Sequence, residues 1–261
     1  MEFTSDQRKA FDLALGGENL FVTGGAGTGK TFLLQKVIQT LARLGKQVVI
    51  CAPTGTAAIK VGGVTINRVF SLLAGPCINE KSMSLTVHCP ATIKKADVVI
   101  IDEVSMCRMD MMDSIQKSIE KAEKQTKRHI QVIVVGDFFQ LPPVINEDRG
   151  ERTLLEKYYK RPIGRGYAFT GDGWNNFGFT SVALTQIVRQ KDREFVEQLN
   201  KSRFGDTSSL DYLNSKVQHH PLADAVYLCG HNTTVNNMNS TMLEALAGES
   251  FTFNATIKGN V

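Results

Sequence analysis

The sequence predicts a three-layer α/β fold, a mostly parallel sheet covered by helices on both faces, and three observations carry that prediction. Val/Ile-rich runs recur at residues 47–52, 98–101 and 132–135. Strands that are apolar at every position are buried on both faces, as parallel strands are. Stretches with helical spacing of apolar residues separate these runs. Finally, Leu20-Phe21-Val22-Thr23 runs into Gly24-Gly25-Ala26-Gly27-Thr28-Gly29-Lys30-Thr31 and then into an amphipathic stretch, the strand–loop–helix order of a phosphate-binding P-loop.

The elements follow in order. Thr4 with Gln7 three residues on fits a capping box, so a short helix precedes the first strand. A second reading of Gln7 is adenine recognition, and one amide has few hydrogen bonds to divide between the two. In residues 24–31 the glycines let consecutive backbone N–H groups turn inward toward phosphate oxygens, and the helix N-terminus adds partial positive charge. Lys30 then reaches the β- and γ-phosphates, and the Thr31 hydroxyl is a magnesium ligand. The dinucleotide fingerprint is excluded, because Lys30 stands where its third glycine belongs. Gly45 stops the helix before the second strand, and Pro53-Thr54-Gly55-Thr56-Ala57-Ala58 turns into another helix. Residues 74–96 are polar and turn-rich and read as a surface excursion.

The third strand ends in Asp102-Glu103. Carboxylates at the carboxyl end of a buried strand stand where α/β sheets bind ligands. Asp102 is placed to hold magnesium and Glu103 to orient and deprotonate an attacking water; the plainer alternative is that one of them caps the next helix. Met109, Met112, Ile115 and Ile119 read as that helix's core face. The fourth strand ends in Gly136-Asp137-Phe138-Phe139-Gln140-Leu141-Pro142-Pro143. Gln140 leaves the sheet on the side of Asp102, within reach of a γ-phosphate. Phe138 and Phe139 are candidates for base stacking, one of them being core. Weaker strands are expected at residues 181–185 and 225–228.

Composition sets outer limits. The 261 residues are 42% hydrophobic and 21% charged with a net charge of +4, which permits nucleic-acid binding without arguing for it. Five scattered cysteines without a C-x-x-C pair point to a reduced, intracellular setting. The sequence contains no 18-residue apolar run, signal peptide or lipidation signal, so a membrane partner is not expected. The lysines and arginine at 117–128 alternate with Glu120 and Glu123 at helical spacing and read as a solvated face. Lys157, Lys160, Arg161 and Arg165 with Tyr158, Tyr159 and Tyr167 form a better nucleic-acid candidate.

The motifs T-S-D-Q, G-G-A-G-T-G-K-T, A-P-T-G-T-A-A, G-G-V-T-I, I-I-D-E-V-S-M, V-V-G-D-F-F-Q-L-P-P-V and L-T-Q-I-V-R-Q occur in the order seen in the Pif-family DNA helicases. In this the chain resembles that family, superfamily 1B motors related to RecD. The resemblance runs from Gln7 to the Asn-rich stretch at 232–239. It implies a RecA-like motor domain over residues 1–185 and an incomplete second RecA-like lobe over 186–261. It also implies ATP and magnesium as cofactors and 5′-to-3′ movement on single-stranded or forked DNA. An intracellular place in cytoplasm, nucleoid or nucleus and a monomeric chain are expected, the sequence itself leaving the oligomeric state open. By resemblance Gln7 contacts adenine, and Gly25 to Thr31 hold the phosphates and magnesium. Lys30, Asp102, Glu103 and Gln140 carry the chemistry, with Arg189 as an arginine finger. Thr54, Gly55, Thr65, Asn67 and Phe139 line the DNA path. Asn67-Arg68 stand where the family commonly has histidine and serine. The later second-lobe motifs do not appear before Val261, so a truncated helicase is expected, weak in ATPase and without unwinding by itself. The competing expectation is an ATP-responsive DNA- or protein-binding module that does not translocate. A transporter motor is disfavoured by the absence of L-S-G-G-Q.

Overall fold

The computed structural model describes residues 2–188, 192–217, 226–254 and 256. The chain divides into two compact units, Met1–Leu213 and Asn214–Val261.

The first unit begins with helix α1 (Ser5–Leu15), whose Thr4 cap and Gln7 form the reciprocal capping box the sequence predicts. Strand β1 (Leu20–Gly24) and helix α2 (Lys30–Arg43) flank the glycine-rich loop. Then come β2 (Val48–Ala52), α3 (Gly55–Lys60), β3 (Val64–Thr65) and α4 (Ile66–Phe70). A hairpin, β4 (Ile78–Asn79) and β5 (Ser84–Leu85), leads to α5 (Ala91–Lys95). Strand β6 (Val98–Ile101), helix α6 (Met109–Thr126) and strand β7 (Gln131–Gly136) follow. Helices α7 (Glu151–Tyr159) and α8 (Asp172–Phe177) precede β8 (Thr180–Leu184), and α9 (Arg193–Arg203) and α10 (Leu210–Ser215) come after it.

Six strands form one sheet in the order β3-β2-β6-β7-β1-β8, and every pairing in it is parallel. Alternation within the Val/Ile runs explains why both faces are covered. Val99, Ile101, Val132 and Val134 join the core under α4, α5 and α6. Val98, Ile100, Ile133 and Val135 point the other way, into a core with Ala10 and Ala14 of α1 and Leu33, Leu34 and Val37 of α2. Met109, Met112, Ile115 and Ile119 are buried on α6 as the spacing predicts. Glu120 on the opposite face bridges Lys117 and Lys124.

Two expectations are corrected. Residues 74–96 are not simply a surface excursion. Cys77, Ile78 and Ile93 are buried, and the Cys77 N–H donates to Asp110 Oδ2 at 2.6 Å. The short apolar residues carry this segment inward although its composition is polar. Nor do Val226, Tyr227 and Leu228 form a strand; Val226 is 88% and Leu228 95% exposed. β-Propensity makes a strand only where another strand satisfies its backbone groups. Ala225 lies outside the described residues. Within the second unit, α11 (Asn232–Glu244) carries no buried side chain. In the basic–aromatic run the tyrosines are engaged within the fold, the Tyr159 hydroxyl donating to Asp113 and Tyr158 packing on Tyr159, while Lys157, Lys160, Arg161 and Arg165 are exposed. No helix among the described residues is long and apolar enough to cross a membrane.

Candidate active site

Because the sheet is parallel, the carboxyl ends of β1, β2, β6 and β7 share one edge, where α/β sheets bind ligands. The glycine-rich loop follows β1, Thr54 follows β2, Asp102 and Glu103 follow β6, and Asp137 follows β7. A cleft of about 590 Å³ opens there, between residues 26–32 on one side and Asp102, Glu103 and Gln140 on the other.

Two glycines make the loop possible. Gly29, with φ +84°, caps α2, and a Cβ there would stand 2.5 Å from Gln7 Nε2. Gly24 has φ +155°, and a Cβ on it would lie 2.7 Å from the Leu184 carbonyl oxygen. At Gly24 the backbone angle and the fixed Leu184 carbonyl both demand glycine, and at Gly29 the left-handed φ does, while a Cβ there would also displace the Gln7 amide. The loop is braced from behind. The Thr28 hydroxyl donates to Gly25 O, Gln7 Nε2 donates to Thr28 O at 2.9 Å, and the Val188 N–H donates to Gly27 O at 2.8 Å. Gln7 thus serves α1 and the loop together: its Oε1 accepts from Thr4 N at 3.1 Å.

Lys30 Nζ donates to Gly24 O at 2.7 Å and to Gly25 O at 3.2 Å, at the mouth of the loop. Burial lowers its pKa, and the charges of Asp137, Glu103 and Asp102 oppose that shift. A desolvated lysine thus faces three carboxylates, with the Arg203 charge nearby acting in the same direction as burial. Asp102 is buried, and burial pushes its carboxyl up to about 6, against a lowering hydrogen bond from the Glu103 backbone and the nearby Lys30 and Lys60 charges. A carboxylate desolvated in this way gains by meeting a cation. Glu103 is held at φ +52° in the left-handed region, a conformation that costs about 1–2 kcal/mol outside glycine. Such strain concentrates at functional sites, where the surroundings enforce it. The hydroxyl of Thr31 and the carboxylate of Asp102 both line the cleft, and hard oxygen donors of this kind suit magnesium. Together these groups can surround a polyphosphate with backbone N–H groups, a cation and metal-binding oxygens.

Gln140 is exposed and lines the cleft, with Nε2 donating to Asp137 Oδ2 at 3.2 Å. Phe138 is the core residue of its pair, packed on Phe21, Tyr167 and Trp174. Phe139 is 60% exposed and meets Phe204 at 5.0 Å. Farther along the same edge, Thr54 caps α3 and Thr65 caps α4. Asn67 donates to the Leu72 and Leu73 carbonyls, and Gly55 opens α3. Arg189 lies outside the described residues.

Several residues at the site were not found by reading the sequence, Lys60, Val188 and Arg203 among them. Lys60 on α3 and Val188 line the cleft. Arg203, at the end of α9, bonds Asp137 at 2.6 Å. Lys60 could have been found from its spacing on the helix after the A-P-T-G-T turn, which puts it on one face with Ala57; nothing local marks Arg203.

Comparison with known proteins follows this geometry. A model of the family described as PIF1-like helicase matches residues 2–211. The chain is 31% identical over 258 residues to the ATP-dependent DNA helicase Pif1 of Campylobacter jejuni subsp. jejuni, covering 92% of this chain and 54% of that protein. A Bacteroides Pif1 helicase solved in complex with ADP-AlF3 and single-stranded DNA superposes with a TM-score of 0.78 at 31% identity, covering 95% of this chain and 58% of that one. A structure of two coordinating Pif1 helicases at forked double-stranded DNA matches with a TM-score of 0.77 at 32% identity, covering 93% and 58%. The chain thus spans about half the length of the relatives it matches.

Proposed function

The chain belongs to the PIF1-like helicase family, and from that premise we propose that it binds adenosine triphosphate with magnesium, hydrolyses it, and serves a motor moving 5′-to-3′ on single-stranded or forked DNA. The observation that carries this reading is the meeting of Lys30 with buried Asp102 and strained Glu103 across one cleft.

In this reading the backbone N–H groups of Gly25, Ala26, Gly27, Thr28 and Gly29 cradle the phosphates, and Lys30 leaves the Gly24 and Gly25 carbonyls to neutralise the β- and γ-phosphates. Thr31 and Asp102 hold magnesium, which when bound draws charge from the phosphate oxygens. Glu103 orients a water in line with the terminal phosphate and takes its proton. Gln140 senses that phosphate, Arg189 supplies a further positive charge to it, and Gln7 retains one amide hydrogen for an adenine edge. Thr54, Gly55, Thr65 and Asn67, away from the loop on the same sheet edge, and Phe139 beside Gln140 contact the DNA strand. Residues 1–185 act as the first motor domain and 186–261 begin the second.

A thermal-shift titration tests the nucleotide site. Ligand at 100 times its Kd stabilises the folded chain by about 2.7 kcal/mol. A magnesium-dependent rise in Tm is expected for the wild type and none for Lys30→Ala. An equal rise in both would remove the phosphate-loop assignment.

A further inference from the structure

Asp137 stands directly behind Gln140, and its side chain is only 2% exposed. A carboxylate so buried needs charged or hydrogen-bonding partners. Among the described residues it has three: the Phe139 N–H at 3.2 Å on Oδ1, Gln140 Nε2 at 3.2 Å on Oδ2, and Arg203 Nη2 at 2.6 Å on Oδ1. Because a carboxylate only accepts, it fixes the NH₂ end of the Gln140 amide toward itself and leaves the second N–H free to turn to the cleft.

Arg203 comes from α9, a helix with no fully buried side chain. Its guanidinium lies over Phe139 at 4.7 Å and Phe204 at 5.3 Å. Its Nη1 approaches the phosphate loop, 3.5 Å from where a Cβ on Gly25 would stand, and its Nε is buried without a hydrogen-bond partner among the described residues. Leaving a guanidinium partly desolvated and a donor unsatisfied is costly. One side chain thus touches the loop, the carboxylate behind Gln140 and the aromatic beside it.

We infer that Arg203 is a positioning residue for terminal-phosphate recognition: by clamping Asp137 it holds the Gln140 amide, so that docking of α9 sets how the site distinguishes a triphosphate from a diphosphate. The inference rests on the nucleotide site proposed above. Without Arg203, the Asp137 carboxylate loses its clamp and the Gln140 amide its fixed anchor. Diphosphate contacts, which come from the loop backbone and Lys30 and not from Gln140, are largely spared.

The test uses the full chain and magnesium, with ADP and a non-hydrolysable ATP analogue as probes. Kd is measured for wild type, Arg203→Ala, Arg203→Lys, Gln140→Ala and the Arg203→Ala/Gln140→Ala double variant, each checked for folding by its melting curve. Arg203→Gln, which keeps the stem on Phe139, stands in should Arg203→Ala fail to fold. Arg203→Ala is expected to weaken the triphosphate analogue about tenfold, the size of one charge-assisted hydrogen bond, and ADP less than about threefold. Arg203→Lys restores part of the difference, since an ammonium reaches Asp137 but does not match the planar fork. The double variant is no worse than Gln140→Ala, because both act on one contact. Equal weakening of both nucleotides, or additive losses in the double variant, overturns the inference while leaving the nucleotide site standing. A wild-type chain that binds neither nucleotide overturns the site and the inference with it.

Discussion

At the scale of the residue, the two carboxylates after β6 sit in different environments, which fits the separate roles proposed for them. Asp102 is desolvated beside two lysines, and Glu103 is held at a left-handed backbone angle facing the cleft. A Glu103→Gln chain keeps the side chain's shape and loses the proposed base. It should bind magnesium nucleotide within about twofold of wild type and lose at least about 100-fold in turnover, the lower range for a general base. Asp102→Asn should instead raise the magnesium concentration needed for binding. Single-turnover hydrolysis with separately measured affinity tells the two apart; affinity effects alone in both variants would remove the assigned roles.

Elements are joined at the site by a few polar side chains. Gln7 links α1 to the phosphate loop while completing the Thr4 cap. Thr4→Ala removes only the cap and should cost about 1 kcal/mol. Gln7→Ala also frees a buried carbonyl of the loop and should cost about 1–3 kcal/mol more, with weaker nucleotide binding. Urea melts of both variants measure this, and equal losses would mean that Gln7 serves the cap alone. On the other face of the sheet, Asp113 of α6 accepts from the Tyr159 hydroxyl of α7 and the Gly173 N–H of α8, each at 2.6 Å. Burial raises its pKa despite these bonds. The folded chain therefore holds a proton where the unfolded chain, with an aspartate near 3.9, has released it. The cost of the buried charge is fully present above the raised folded pKa and fades as pH falls toward the unfolded value. Relative to Asp113→Asn, the wild type should gain stability on moving from neutral pH into the carboxylate range. Parallel melts of the two across that range check the sign, and a constant difference would mean that Asp113 titrates normally.

For the whole molecule, the shared carboxyl edge brings the proposed phosphate site and the proposed DNA contacts onto one side of the sheet. With a net charge of only +4, affinity for single-stranded DNA has to come from local phosphate contacts and a few stacked bases. Binding is expected to be sequence-tolerant and to weaken with salt, with a log–log slope of about −0.7 per phosphate contact. Fluorescence anisotropy over a salt series measures the slope; salt-insensitive binding to one duplex sequence would contradict a translocating motor.

Several features were legible in the sequence because local physics sets them. A Val/Ile run is a doubly buried strand wherever it pairs, and Thr4 and Gln7 form a cap within a single turn. Gly24 and Gly29 announce a backbone that other residues resist, and the Asp102-Glu103 pair needs only the end of its strand to be known. Other features depended on the folded chain. Arg203 meets Asp137 across 66 residues, and Gln131 reaches the Ala14 carbonyl across 117. Which of Phe138 and Phe139 enters the core was decided by Phe21 and Trp174, which lie far away in the chain. Cys77, Ile78 and Ile93 go inward because α6 and its neighbours leave apolar space for them, while Val226 and Leu228 have the residue types of a strand but no paired edge. Periodicity and backbone preference act over a few residues and can be read along the chain. Pairing of charges, rings and sheet edges is settled by which surfaces meet, and only the packed structure brings those surfaces together.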